Sequence, residues 1–200
     1  MLRLSILVLC SLLINNSHSQ YIWKLEKQKD GISVYLSEVA GSSFKAVKVE
    51  CTLRGTYAKL IALLSKVEQF NNWIYNTKLT RLIERKTPLD FIYYQETHMP
   101  WPLSNRDLAI HMRIKTDSLP RFLLIKGINE NGLFPEMPGK VRVPLYKSSW
   151  KVSMPSAQTI HINYILEVDP GGNIPSWAAN SFADKGPFET FSKLAEQLKK

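Results

Sequence analysis

Residues 158–168 read QTIHINYILEV and residues 106–116 read RDLAIHMRIKT. In the first, Ile160, Ile162, Tyr164, Leu166 and Val168 alternate with His161, Asn163 and Glu167. In the second, Leu108, Ile110, Met112 and Ile114 alternate with Ala109, His111, Arg113 and Lys115. A period of two sends alternate side chains to opposite faces of a strand. Each stretch is therefore a strand with one apolar face and one mostly wet face, as in an antiparallel sheet covered on a single side. Such a sheet needs an apolar cover, and residues 175–200 supply a candidate. Their first part carries Trp177 and Phe182, and their second places Phe188, Phe191, Leu194, Ala195 and Leu198 at helical spacing. Gly186-Pro187 is expected to kink or break this segment.

Working outward, Ile32, Val34 and Leu36 alternate with polar neighbours, and Gly41 marks a turn into the run Phe44 to Leu53, so the pair reads as a hairpin after a short opening segment around Trp23. The period then changes. Leu60, Leu63, Leu64 and Val67 follow at i, i+3, i+4 and i+7 behind Thr56, a helix with Thr56 as N-cap. A short irregular or helical stretch carries Phe70 and Trp73. Further strands are expected at about residues 76–86, 90–98, 121–128 and 140–152. A long, strongly curved antiparallel sheet gripping a C-terminal helix follows, an α+β architecture. One helix is only about 10–12 Å across with its side chains, so a sheet this extended can leave a hollow beside it.

The chain has 200 residues, 44% of them hydrophobic and 22% charged, which fits one globular domain and excludes disorder, collagen-like repeats and coiled coils. Residues 1–19 read as an export signal, with Arg3 followed by an apolar run from Leu4 to Ile14, too short to span a bilayer. Ser17-His18-Ser19 supplies small residues for cleavage before Gln20. Bulky Leu9 precedes Cys10, where a lipoprotein signal has a small residue, so cleavage rather than lipid attachment at Cys10 is expected. The expectation is a secreted or periplasmic domain over residues 20–200, acting as a monomer. The net charge of +9 favours anionic partners, but the Lys and Arg are scattered, and scattered cations are also what solubility requires.

Removal of the leader leaves Cys51 alone, among Val47, Val49 and Leu53 at strand spacing, so it reads as buried apolar filler. His111 and His161 fall on wet strand faces and His98 at a strand end, without metal-ligand spacing, so solvated histidines and no metal site are expected. No nucleophile elbow, phosphate-cradling loop or dinucleotide fingerprint is present. No catalytic residue and no cofactor are assigned. Nucleic-acid binding is not expected either, because the aromatics alternate into an apolar face instead of lying exposed among cations.

Five segments in order over nearly the whole of residues 20–200 resemble the START-domain family of lipid-transfer proteins. They are Asp30-Gly31-Ile32-Ser33-Val34-Tyr35, Phe70-Asn71-Asn72-Trp73, the run Trp101 to Asp107, the run Phe134 to Arg142 and Asp169-Pro170-Gly171-Gly172-Asn173-Ile174-Pro175. The resemblance implies a helix-grip fold of the START/Bet v 1-like kind, with an internal hydrophobic cavity roofed by the last helix and occupied by a lipid. Sterol-carrying relatives pair an acidic and a basic residue inside that cavity. Gln95 and Met112 stand in those places here and cannot form the ion pair, so sterol specificity is not implied.

On this reading the ligand meets Gln95, Arg106, Ile110 and Met112 on two strands, then Phe122, Trp150 and Tyr164 farther along the sheet. Trp177, Ser181 and Phe182 complete it from the covering helix. Arg106 shares the parity of Leu108 and Ile110, which suits it to a carboxylate or phosphate headgroup; the plainer alternative is a salt bridge to Asp107 or Asp169. The loop over residues 129–140 is the expected gate, with Phe134 and Met137 at its tip beside Lys140 and Arg142. That tip is either a transient membrane contact or an ordinary Pro-stiffened connection. The expected function is binding and transfer of a lipid or other hydrophobic ligand. The alternative is a helix-grip enzyme, a cyclase or hydrolase acting on a hydrophobic substrate, which requires an acid–base pair on the apolar face.

Overall fold

The computed structural model describes residues 21–116 and 122–200. The expected leader and its cleavage site lie outside the described residues. The strands are β1 (Lys24–Lys29), β2 (Ile32–Ser37), β3 (Ala46–Arg54), β4 (Thr77–Thr87), β5 (Asp90–Thr97), β6 (Asn105–Thr116), β7 (Phe122–Asn129), β8 (Lys140–Arg142), β9 (Leu145–Ser156) and β10 (Thr159–Asp169). The helices are α1 (Tyr57–Leu64), α2 (Ser176–Ser181) and α3 (Lys185–Lys199). A short 3-10 helix, Val67–Asn72, follows α1. The strands form one sheet in the order β1-β2-β3-β10-β9-β7-β6-β5-β4, antiparallel along that path, with β8 added parallel to β6.

Register shows why these residues make these strands. Val34 faces Val49, which faces Tyr164, and Ile32 faces Cys51, which faces Ile162. Each apolar parity is thus continued across three strands into one buried face. On that face Val34, Val49, Ile160 and Ile162 are fully enclosed. Burial pushes the Cys51 thiol up to about 12, so it sits there as an inert, protonated filler. α3 closes the face with Phe191, Leu194 and Leu198, all buried, and packs principally on β2, β3 and α1. Thr56 caps α1 as expected, its side-chain oxygen accepting from the Lys59 amide at 3.2 Å.

The structure departs from the sequence expectations at three places. The segment after Trp23 is a full edge strand, β1, although KLEKQK shows no apolar alternation. An edge strand facing solvent needs only its backbone pairing with β2. The single strand expected at 140–152 is two, because Pro144 has no N–H to continue a ladder. β8 pairs with β6, whereas β9 pairs with β7 and β10. The C-terminal segment does break, but at residues 182–184, ahead of Gly186-Pro187. Pro187 lies in the first turn of α3, where its missing N–H would have had no partner within the helix.

Because Leu194 is wholly buried against the sheet while Thr56 holds only a helix end, their losses should differ. Leu194→Ala is expected to lower the unfolding free energy by about 3 kcal/mol and Thr56→Ala by about 1 kcal/mol, read from urea midpoints at unchanged slope.

Candidate functional site

β5, β6, β9 and β10 curve away from α3, and the space between them is a cavity of about 210 Å³. Its wall on the sheet side is Tyr93 and Gln95 from β5, Met112 from β6, Tyr146 and Trp150 from β9, and Tyr164 from β10. Its floor comes from the end of α1 and the 3-10 segment, chiefly Phe70 and Trp73, and its roof from Pro187, Thr190 and Phe191 of α3.

Aromatic packing shapes the walls. Trp150, Tyr164 and Phe191 form a triangle with ring centroids 4.9, 5.1 and 5.2 Å apart, joining sheet to roof. On the other side Phe70 meets Trp73 at 5.4 Å and Tyr93 at 5.2 Å, both edge-on. The roof is tied down where the Tyr75 amide donates to Thr190 Oγ1 at 3.1 Å. Gly186 permits this approach, since a Cβ there would lie 3.3 Å from Tyr75 Cδ1.

The polar groups of the lining are uncharged: among its described residues there is no Asp, Glu, His, Lys or Arg. Burial, reinforced by Tyr146, holds the phenols of Tyr93 and Tyr164 well above the ordinary tyrosine value, so both remain protonated donors. Burial also raises Tyr146, opposed by the neighbouring hydroxyls of Ser148 and Tyr164. Gln95 spends one amide donor on Thr97 Oγ1 at 3.3 Å.

The cavity brings together Gln95, Met112, Trp150 and Tyr164 of the residues expected from the sequence. The others lie elsewhere. Ile110 is packed in the core and does not reach the lining. Phe122 shares the parity of exposed Leu124 and Ile128, on the outer face, with Lys151 Nζ 4.2 Å from its ring centroid. Its run FLLIKGI has apolar residues at both parities, which is why the face was misread. Trp177 and Phe182 are 74% and 70% exposed, and the Ser181 hydroxyl is exposed and donates to the Trp177 carbonyl. α2 buries no residue, so it caps no cavity wall.

Arg106 makes neither the headgroup contact nor the expected ion pair. It is buried and donates to the carbonyls of Ser104, Pro170 and Gly171, anchoring the turn that leads to α2. The turn can lie this close because Gly171 and Gly172 both have positive φ, and a Cβ on Gly172 would come 3.2 Å from Arg106 Nη2. Asp107 instead pairs with Arg142, at 2.8 and 3.2 Å. The same guanidinium donates to the carbonyls of Phe134 and Pro135, and the Phe134 ring lies 4.4 Å from that of Tyr94. Tyr94 alternates with Tyr93 and Gln95, so Phe134, expected at the gate, rests on the face turned away from the cavity. Met137 is 38% exposed beside it and does not line the cavity.

His111 is not solvated. It is buried between Asp90 Oδ1 at 2.7 Å and Glu130 Oε1 at 3.4 Å, with Arg113 folded over it, because neighbouring long side chains cover the outer face of a central strand. His98 and His161 are exposed, as expected. The other lining residues, Trp73, Tyr93, Tyr146 and Phe191 among them, were not singled out as ligand contacts. Tyr93 shares the parity of Gln95 and Tyr146 that of Trp150, so extending the alternation along those strands would have found both.

The sequence profile of the START domain matches residues 5–200. An uncharacterized protein of Pseudomonas aeruginosa is 33% identical over 179 residues, covering 89% of this chain and 87% of its own. The phosphatidylcholine transfer protein of Mus musculus is 26% identical over 168 residues, 82% of this chain and 78% of its own. Among solved structures, a STAR-related lipid transfer protein from Xanthomonas axonopodis superposes with a TM-score of 0.82 at 29% identity, over 89% of this chain and 99% of that one.

The outer-face clamp gives the protein an acid-sensitive element. Burial pushes the Glu96 carboxyl up, but hydrogen bonds from Lys140, Asn105 and Lys78 outweigh it and bring it down from 4.5 to about 2. A carboxylate depressed in the folded state stabilises fully above its unfolded value and loses that contribution as pH falls toward the folded one. Unfolding free energy should therefore decline between about pH 5 and pH 2, and Glu96→Gln should flatten that part of the profile in urea titrations at each pH.

Proposed function

The chain belongs to the START domain family, and on that premise we propose that it binds a lipid or other hydrophobic ligand in the cavity beneath α3 and transfers it between membranes. The observation that carries this reading is the aromatic-lined space left between β5, β6, β9 and the helix. The relatives named for lipid transfer support it. The ligand leaves chemically unchanged, and the protein acts as a monomer exported through the leader at residues 1–19.

Transfer energetics fit such a carrier. Each methylene moved from water into an apolar pocket gains about 0.8 kcal/mol, but one moved from a bilayer gains almost nothing. The protein and the membrane therefore exchange cargo near balance, and the carrier's work is to lower the barrier. That requires contact with the bilayer and an opening. Trp177 on α2 and Phe182 just after it project into solvent, immediately before the roof helix, and the Lys45 backbone amide donates to Asn180 Oδ1 on the same helix. Leu133 and Met137 are exposed on the loop before β8, near Lys140. Exposed aromatics beside cations suit an anionic bilayer surface. Docking there would free the roof at its weak point, residues 182–184, between α2 and α3.

Native mass spectrometry with organic extraction of the purified protein tests binding: a stoichiometric hydrophobic molecule is expected, and a protein that stays empty after incubation with mixed lipid extracts would contradict it. For transfer, the Trp177→Ala/Phe182→Ala variant should keep its bound ligand and its Tm, yet move fluorescent lipid between vesicles several-fold more slowly. An unchanged rate would remove α2 from the docking surface.

A further inference from the structure

The phenols of Tyr93 on β5, Tyr146 on β9 and Tyr164 on β10 border one cavity. Burial first and Tyr146 second raise both Tyr93 and Tyr164, so the three hydroxyls lie within electrostatic reach of one another. Tyr93 is 2% exposed, and its hydroxyl makes no hydrogen bond among the described residues. The side-chain polar atoms there that are both sealed from solvent and unpartnered belong to Trp73, Thr77 and Ser148, and the Tyr93 oxygen is not one of them. That oxygen is therefore part of the little surface Tyr93 keeps, and because Tyr93 stands on the cavity wall, that surface opens into the cavity. Buried hydroxyls are nearly always paired, so a hydroxyl left free at a cavity wall is one that a ligand atom can complete.

The walls beside that hydroxyl are unusual in kind. Aromatic residues make up 10% of the chain but eight of the sixteen that line the cavity. Trp150, Tyr164 and Phe191 pack together on one side, Phe70, Trp73 and Tyr93 on the other. We infer that the cavity takes a flat aromatic ring with an oxygen on its edge, of the quinone, aryl ketone or phenol class, whose ring packs on these walls and whose oxygen hydrogen-bonds the Tyr93 hydroxyl. The inference rests on the proposed ligand-binding function and names the class of its ligand. A ring packed offset or edge-on against another gains roughly two- to tenfold in affinity per pair beyond the area it buries, and an acyl chain gains nothing of the kind. A quaternary ammonium also suits aromatic walls, but it has no atom to pair with the Tyr93 hydroxyl, and the described lining holds no carboxylate to balance its charge. Size agrees: about 210 Å³ is below the roughly 300–1,000 Å³ of ordinary small-molecule sites, room for one or two fused rings and not for a lipid with two chains.

A series matched in carbon number tests this on the delipidated protein: methylnaphthoquinone, methylnaphthalene and undecane, with decyltrimethylammonium as the cation. Each is titrated by displacement of a fluorescent probe, and each affinity is referred to the compound's partition into hexane so that plain hydrophobicity cancels. Methylnaphthoquinone should bind most tightly, methylnaphthalene next and undecane several-fold more weakly than either. Tyr93→Phe, which removes one oxygen and keeps the ring, should weaken methylnaphthoquinone about fivefold, as loss of one buried hydrogen bond requires, and leave methylnaphthalene unchanged. Where that variant fails to fold, the infrared carbonyl stretch of methylnaphthoquinone bound to the wild-type protein decides: it should lie below its position in hexane. Undecane binding as tightly as the rings overturns the inference, as does decyltrimethylammonium binding tightest, a Tyr93→Phe protein with unchanged affinity for methylnaphthoquinone, or an unshifted carbonyl stretch. If undecane binds and the rings have no advantage, the cavity reading stands and only this inference falls. If nothing in the series binds, both fall.

Discussion

A single helix cannot fill the concave side of a ten-stranded sheet, and most of the molecule follows from that mismatch. α3 makes its principal contacts with β2, β3 and α1, at one end of the strand order. There Phe191, Leu194 and Leu198 close a dry core in which β-branched residues meet across β2, β3 and β10. Toward β5, β6 and β9 the sheet curves beyond the helix's reach, and large aromatics line the gap without filling it. Trp150 and Tyr164 belong to both regions, since they pack on Phe191 and also form the cavity wall.

Charge is sorted to match. The inward parity of the sheet around the cavity is apolar or neutral, while the outward parity of β5 and β6 carries Glu96, Asp107 and His111, each buried but each partnered. Lys140, Arg142 and Glu130 among those partners lie in the long connection between β7 and β9, while Asp90 begins β5, so these contacts hold a loop against the back of the sheet rather than meeting cargo. Arg106 works similarly from the inward row, fixing the glycine turn that launches α2. These buried charged groups are thus spent on fixing the protein's connections, and the cavity is left to hydrogen bonding and shape. That division lets a carrier accept a greasy molecule without the desolvation cost a charged pocket would impose.

The strand alternation at 106–116 and 158–168 and the helical spacing of Phe188 to Leu198 made the sheet and its cover legible, because burial on one face writes a period into the sequence. The helix cap at Thr56 was legible for the same local reason. What could not be read was placement set by tertiary contacts. Arg106 has the parity of a cavity residue, and only the distant turn at Pro170 and Gly171 explains why it serves the backbone. Trp177 and Phe182 are as apolar as true lining residues, yet Trp177 on α2 and Phe182 at the break that follows it both face solvent. β1 and the division of β8 from β9 depend on backbone pairing and on one proline, neither of which leaves an apolar pattern. Trp73 stood in a segment that carried the family resemblance, but its place in the cavity floor is visible only once the fold is.

The account depends on the space beneath α3 being a ligand chamber and not a packing defect. The most direct measurement is a crystal structure of the protein grown with a long-chain alcohol brominated at its tail, read by anomalous diffraction at the bromine edge. The account predicts a bromine peak inside the chamber bounded by Trp73, Tyr164 and Phe191, with continuous density leading to it. Side chains collapsed into that space, with no anomalous peak beneath the helix, would contradict it.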